Sequence, residues 1–341
     1  MKSKPATLKE IADLLGVSIS TVSRSLIDHP SISLVTRERV KKLAKKINYR
    51  PNHSALSFRS GRTFTIGLIL PDLSEVFFST AMTAIEEMAL ANNYAVFVVQ
   101  SMNSEEREIA LTEKMIDLRV DGLLVALAKD TQTFGHFSKL KDNGVPVVFF
   151  DRVPPYYSIH SVCCNIELAT QQAVDFLLKK GHRQIGIING PESLLSSMER
   201  KNGYIKALEG EKISFDPSLY TECDLTESGA EKAMDKLLAL PERPSAVLAF
   251  NDYVAIYAIR KLKIQNITAT EAIDFVSFSN LSILRYMDYR PVATIEQSPA
   301  LQGQTAMQIL TELINSRYSP SGSEQQFRNV VLEGKLVLDK S

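Results

Sequence analysis

The segment GVSISTVSRSL, Gly16 to Leu26, gathers the short hydroxyl side chains of Ser18, Ser20, Thr21, Ser23 and Ser25 around one charged residue, Arg24. Such hydroxyls donate and accept hydrogen bonds at close range, and a guanidinium makes two parallel bonds to a planar pair of acceptors. The chemistry is that of a surface meant to be approached closely. A second polar set stands directly after apolar runs farther along: Asp151-Arg152 after VPVVFF, Asn251-Asp252 after SAVLAF, Ser279-Asn280 after IDFVSF and Gln297 after VATIE. Phe77 and Phe78 follow the first such run, and Arg200 lies beyond IINGPESL. Bidentate polar groups beside aromatic faces suit a neutral polyhydroxylated ligand or a small metabolite.

Helices must position the first set. Thr7 and Glu10 form a Thr-x-x-Glu capping box ahead of the apolar stripe Leu8, Ile11, Ala12 and Leu15. Gly16 ends that helix, because glycine adopts the left-handed backbone of a tight turn without strain. Ser18 caps a second helix whose Val22 and Leu26 face inward, and a third buries Val40, Leu43, Ala44 and Ile47. Lys41, Lys42, Lys45 and Lys46 lie largely off that last stripe. Helix, glycine turn and a second helix with small polar residues is the helix-turn-helix pattern. Small side chains let its backbone enter a major groove about 12 Å wide, where Ser20, Thr21 and Ser23 meet phosphates or base edges and Arg24 can grip a guanine. The lysines add phosphate attraction that is independent of sequence.

Strands must position the second set. From Phe64 onward, FTIGLIL, YAVFVV, DGLLVAL and VPVVFF, then RQIGII, SAVLAF and IDFVSF, alternate with helix-length amphipathic segments. This βαβ repetition predicts parallel sheets covered by helices on both faces, in two lobes with a cleft between them. Ligands of such sheets bind beyond the carboxyl ends of the strands.

Composition bounds what remains. The 341 residues are 45% hydrophobic and 23% charged, as in ordinary globular chains. Residues 1–62 hold thirteen Lys/Arg against four Asp/Glu, a charge of +9, and the rest of the chain carries −9. A basic module attached to an acidic body points to a polyanionic partner. The apolar runs are strand-sized and the N-terminus lacks an apolar signal core, so a cytoplasmic protein with no membrane association is expected. Cys163, Cys164 and Cys223 are too few for a disulfide framework, and the five histidines lack metal-ligand spacing. No phosphate-cradling glycine loop and no Gly-x-Ser-x-Gly is present. Neither catalytic residues, nor a metal, nor a cofactor is expected, although Asp151 and Asp252 could pair as acid and base in a carbohydrate-active enzyme.

TLKEIADLLGVSISTVSRSL followed by VTRERVKKLAKKINYRPN resembles the headpiece of the LacI/GalR family of transcriptional regulators, and RTFTIGLILPDLSEVFF, PSAVLAFND and TIEQ resemble its core. The resemblance implies an α/β protein: a three-helix helix-turn-helix domain over 1–50, a hinge over 51–62 and a two-lobed periplasmic-binding-protein-like core of doubly wound parallel sheets over 63–341. One lobe is expected at about 63–163 and 298–325, the other at about 164–297 and 326–341. By position, Ile19, Ser20 and Arg24 fall where the family reads bases, and Thr21, Ser23, Asn48 and Tyr49 where it contacts or supports the DNA backbone. Thr7, Ser18, Asn52, Ala55, Leu56, Phe58 and Arg59 complete the expected DNA-binding set, with Phe58 as the hinge wedge in the minor groove. Two hinges must meet there, which implies a homodimer on a pseudo-palindromic operator.

Phe77, Phe78, Asp151, Arg152, Arg200, Leu225, Asn251, Ser279 and Gln297 form the expected effector set. The implied function is a regulator, a repressor by preference, whose operator affinity is set by a sugar; a purine, a sugar phosphate or a protein corepressor are the alternatives. Ser279 stands where the family usually has an acid, Glu75-Val76 where Asn-Pro is common, Leu225 near an aromatic sugar platform and Cys164 in place of an aspartate. With one carboxylate fewer, either a hydroxyl pair is held less firmly or an acidic ligand is better tolerated.

Overall fold

The structure is a computed structural model that describes residues 6–49, 61–156, 158–265, 273–317 and 326–339. The chain divides into two compact units, Met1–Thr63 and Phe64–Ser341.

In the first unit, local chemistry sets three helices. Helix α1 (Leu8–Leu15) starts where Thr7 Oγ1 accepts the Glu10 amide at 3.2 Å and stops at Gly16, whose φ of 65° is left-handed. Helix α2 (Ile19–Leu26) is capped by Ser18, which accepts the Thr21 amide at 3.0 Å. Helix α3 (Leu34–Lys46) is capped by Ser33. Ile11, Ala12, Val22, Val40 and Ala44 are buried together, with Leu43 and Ile47 packed only partly against them. Each fully buried aliphatic side chain in so small a core contributes roughly 1.5–3 kcal/mol, so few can be spared.

The second unit contains two six-stranded sheets. The strands are β1 (Thr65–Leu70), β2 (Ala95–Gln100), β3 (Gly122–Val125), β4 (Val147–Phe150), β5 (His160–Cys164), β6 (Ile185–Asn189), β7 (Tyr220–Glu222), β8 (Ala246–Ala249), β9 (Asp274–Phe278), β10 (Ala293–Glu296), β11 (Asn329–Leu332) and β12 (Lys335–Leu338). The first sheet runs β11-β5-β4-β3-β1-β2 and the second β12-β10-β9-β8-β6-β7. Every pairing is parallel except β10 with β12. The chain passes between the sheets after Cys164, after Glu296 and again after Leu332.

That last passage corrects the expected lobe division. Residues 326–341 do not all join the second lobe: β11 pairs with β5, Val330 opposite Val162, and only β12 reaches the second sheet. The β5 strand would otherwise present an open edge, and β11 closes it.

Two helix pairs fix the elements that carry the cavity. Helix α4 (Val76–Ala91), which begins with Val76-Phe77-Phe78, packs on α11 (Pro299–Arg317). A Cβ on Gly303 would stand 2.5 Å from the Ala81 carbonyl oxygen, so that crossing requires glycine. Helix α8 (Leu195–Gly210), which carries Arg200, packs on α7 (Ile166–Lys179) in the same way, with Gly203 lying against the Glu167 carbonyl.

Candidate functional site

Helix α2 divides cleanly. Val22 and Ser25 are fully buried, and the Ser25 hydroxyl donates to the Thr21 carbonyl at 2.7 Å, so this serine belongs to the inner face. Ser20 and Arg24 are exposed, Ile19 is 49% exposed, and Thr21 and Ser23 are half-buried. The Ser18 hydroxyl lies 2.8 Å from those of both Ser20 and Thr21, making a hydroxyl cluster at the amino end of the helix. Amino ends of helices favour anions, because their amides have no partners within the helix.

Among the remaining predicted contacts, Thr7 is exposed with its hydroxyl given to the cap, Asn48 is exposed at φ 53°, and Tyr49 leans on the headpiece core. Lys41 is held by Asp28 at 2.5 Å, while Lys42, Lys45 and Lys46 are exposed. Asn52, Ala55, Leu56, Phe58 and Arg59 lie outside the described residues.

A cavity of about 580 Å³ opens at the carboxyl ends of the strands of both sheets. Phe77, Phe78, Asp151, Arg152, Arg200, Asn251, Ser279 and Gln297 all line it, drawn from six separate stretches of chain. Asp151 and Ser279 hold φ values of 58° and 106° just after β4 and β9. Backbone in that region costs of order 1–3 kcal/mol for such residues and collects at ligand sites. Leu225 does not line the cavity; it packs against the hydrophobic core of the second lobe, which corrects its expected role. A leucine gains more from that apolar contact than from an exposed polar wall.

Arg200 is 3% exposed, with its Cζ 3.9 Å from the Phe250 ring centroid and 4.4 Å from that of Phe278. One guanidinium nitrogen donates to the Ser196 carbonyl at 3.1 Å, and the Nε has no partner. Burial lowers its pKa to about 10, opposed by the nearby Asp151 and Glu199. Burial likewise raises Asp151 to about 6 against the pull of Arg152, and Glu199 to about 7 against that of Arg200. Arg152 is already engaged: it donates to Asn103 Oδ1 at 2.7 Å and to Glu75 Oε1 at 3.1 Å, and stands over Phe78. Asn251 spends its side-chain oxygen on the Val254 amide at 2.9 Å, capping α10 (Asp252–Ile264).

Sequence reasoning missed several contributors. Glu199 and Cys163 line the cavity, beside Glu75 and Cys164, which it had noted only as departures from the family pattern; burial pushes both thiols up to about 12, which keeps them protonated. Glu108 is fully buried on α5 (Glu105–Asp117), where it accepts from the Ala128 amide at 2.7 Å and the Thr131 hydroxyl at 2.9 Å. It thereby pins the loop after β3 that forms one cavity wall. Only the tertiary contact reveals it, since a glutamate on an amphipathic helix reads as solvent-facing.

Asp252 is also fully buried, accepting from the Leu281 amide at 2.7 Å and from the Ser277 and Thr294 hydroxyls. It braces strand ends and does not line the cavity, so Asp151 and Asp252 do not meet there as an acid–base pair. His182 bonds Ser245 and Asp274 at the amino ends of the strands, opposite the cavity. Among the described residues, no group of side chains is arranged to hold a metal, and no helix is long and apolar enough to cross a membrane.

Comparison with known proteins agrees with both halves. Residues 7–52 match the lacI family of bacterial regulatory proteins, and residues 66–317 match a periplasmic binding protein domain. The HTH-type transcriptional repressor CytR of Escherichia coli K12 is 30% identical over 329 residues, 96% of either chain. PurR of Aliivibrio fischeri MJ11, also an HTH-type transcriptional repressor, is 29% identical over 92% of this chain and 93% of its own. The structure of the lac repressor dimer bound to operator and the anti-inducer ONPF aligns with a TM-score of 0.83, at 26% identity over 98% of each chain. With a helix-turn-helix headpiece ahead of a two-sheet binding core, this chain belongs to the LacI family of DNA-binding transcriptional regulators.

Proposed function

We propose that the protein is a homodimeric repressor that reads a pseudo-palindromic operator through Ile19, Ser20 and Arg24 and takes a sugar as effector in the interlobe cavity. The observation that carries the effector half is Arg200: a buried guanidinium, set against two aromatic rings and left with an unpartnered Nε, lining the same cavity as the carboxylate of Asp151. Vicinal hydroxyls satisfy such groups on both walls at once. A planar base is supported less, because Phe77 and Phe78 are only 8% and 1% exposed and meet edge to face, which leaves little ring surface for stacking.

Among the described residues, the lobes touch across the cleft through Lys129 Nζ to the Asp224 carbonyl at 3.1 Å, Ser193 Oγ to the Lys129 carbonyl at 2.6 Å, and Tyr253 OH to the Ser74 carbonyl at 3.3 Å. A ligand that bonds both walls shifts that balance, and the hinge around Leu56 and Phe58 passes the shift to the headpiece. A coupling of about 1–3 kcal/mol suffices for control.

Selection of binding sites from a random duplex pool, followed by titration with sugars, tests the reading. A palindromic site with salt-dependent affinity, altered by one of the sugars, is expected. Absence of salt-sensitive binding to any duplex defeats it.

A further inference from the structure

We propose that Glu199 sets the charge selectivity of the cavity, so that the effector is an unphosphorylated compound rich in hydrogen-bond donors, a neutral or amino sugar, and not an anion. This rests on the reading of the cavity as an effector site and narrows its ligand.

The charges at the wall decide the matter. Glu75 and Arg152 neutralise each other at 3.1 Å, and Glu192 is exposed. That leaves Arg200, the one lining cation outside an ion pair among the described residues, sharing the cavity wall with Asp151 and Glu199. Neither of these carboxylates has a hydrogen-bond or ion-pair partner among the described residues, although both line the cavity. Two carboxyl groups therefore share one guanidinium; partial burial raises them to about 6 and about 7, so above neutral pH both are acceptor-only anions. A third negative group would enter against an unfavourable field, whereas ligand hydroxyls or an ammonium supply the donors that both carboxylates lack.

The sequence alone left two outcomes open. Ser279 was expected to leave the site one carboxylate short, so that either a hydroxyl pair is held less firmly or an acidic ligand is better tolerated. Glu199, one residue before Arg200 on α8, returns the missing charge from a different strand end.

Full-length protein and an E199Q variant are titrated calorimetrically with glucose, galactose and ribose, the hexoses also as 2-amino sugars, and all three as their terminal phosphates. Thermal melts with inorganic phosphate, against chloride at equal ionic strength, run in parallel; anion binding by the headpiece is common to both proteins and cancels. On whichever scaffold binds, the neutral or amino form is expected to bind wild type at least tenfold tighter than the phosphate. E199Q should narrow that ratio about tenfold and gain a phosphate-dependent rise in melting temperature beyond that of wild type. A phosphate that binds wild type as tightly as its parent sugar, or a ratio unmoved by E199Q, overturns the role of Glu199 and leaves the effector site standing. If no scaffold binds, the melts decide: a phosphate gain confined to E199Q supports the proposal, and its absence overturns both this proposal and the sugar reading.

Discussion

The outer face of α2 and the interlobe cavity both offer arginine and small polar groups, yet they work in opposite electrostatic regimes. On α2 the groups come from seven consecutive residues, are exposed or half-buried, and include an exposed Arg24 in a headpiece that also exposes several lysines. In the cavity they come from distant stretches of chain, lie largely out of water and surround an Arg200 whose charge is opposed by burial. Exposed charges attract a polyanion at long range and are weakened by salt, while buried ones discriminate at contact and are screened far less. The protein thus separates affinity for a long polymer from selectivity for a small molecule by placing similar groups at different depths.

Substitutions can break or sharpen this contrast. The largest effect is expected from R200A, which leaves the half-buried Asp151 and Glu199 without the cation that shares their wall; effector affinity should fall by about 2–5 kcal/mol in calorimetry. An R200A protein that still binds its effector normally would place the ligand elsewhere. R24A should cost about 1–3 kcal/mol of operator affinity and relax preference at one base pair of each half-site, leaving calorimetric effector binding unchanged. Equal loss on operator and random DNA would make Arg24 a phosphate contact instead.

S18A removes the cap of α2 and should lower headpiece stability by about 1 kcal/mol in thermal melts, with no change in the core transition. K45A or K46A should be milder still, weakening all duplexes alike and reducing the salt slope by about one if the lysine meets a phosphate.

Depth also predicts a pH signature. Asp151 and Glu199 titrate at about 6 and about 7 in the folded core, above their ordinary range, so the native state holds protons that the unfolded chain has released. Their contribution to stability is complete in acid and is lost as pH rises through about 7. E199Q should therefore melt above wild type at pH 8 and converge with it near pH 5. Parallel curves at every pH would mean that Glu199 keeps its water.

How legible each region was follows from how local it is. Thr7, Gly16, Ser18 and the stripe through Ile11, Val22 and Val40 were readable because capping and helical periodicity act over three or four residues. The strand-end residues were legible as positions, since in a parallel sheet the chain after each strand must emerge on one side. Their roles were not. Nothing in the spacing showed that Arg152 is committed to Asn103 and Glu75, that Leu225 turns into the core, or that Asp252 braces the ends of strands. The strands β5, β7, β11 and β12 also escaped, being short or of mixed polarity, with three of them at sheet edges where only the pairing partner defines them.

By itself the sequence determined the basic headpiece, its capped helices and the alternation that builds two parallel sheets, because these depend on neighbours within a few residues. Only the tertiary structure decided which carboxylates share Arg200, which lobe receives β11 and which charges lose their water. Desolvation and pairing are properties of what surrounds a side chain from every direction, and the chain order lists neighbours in only one.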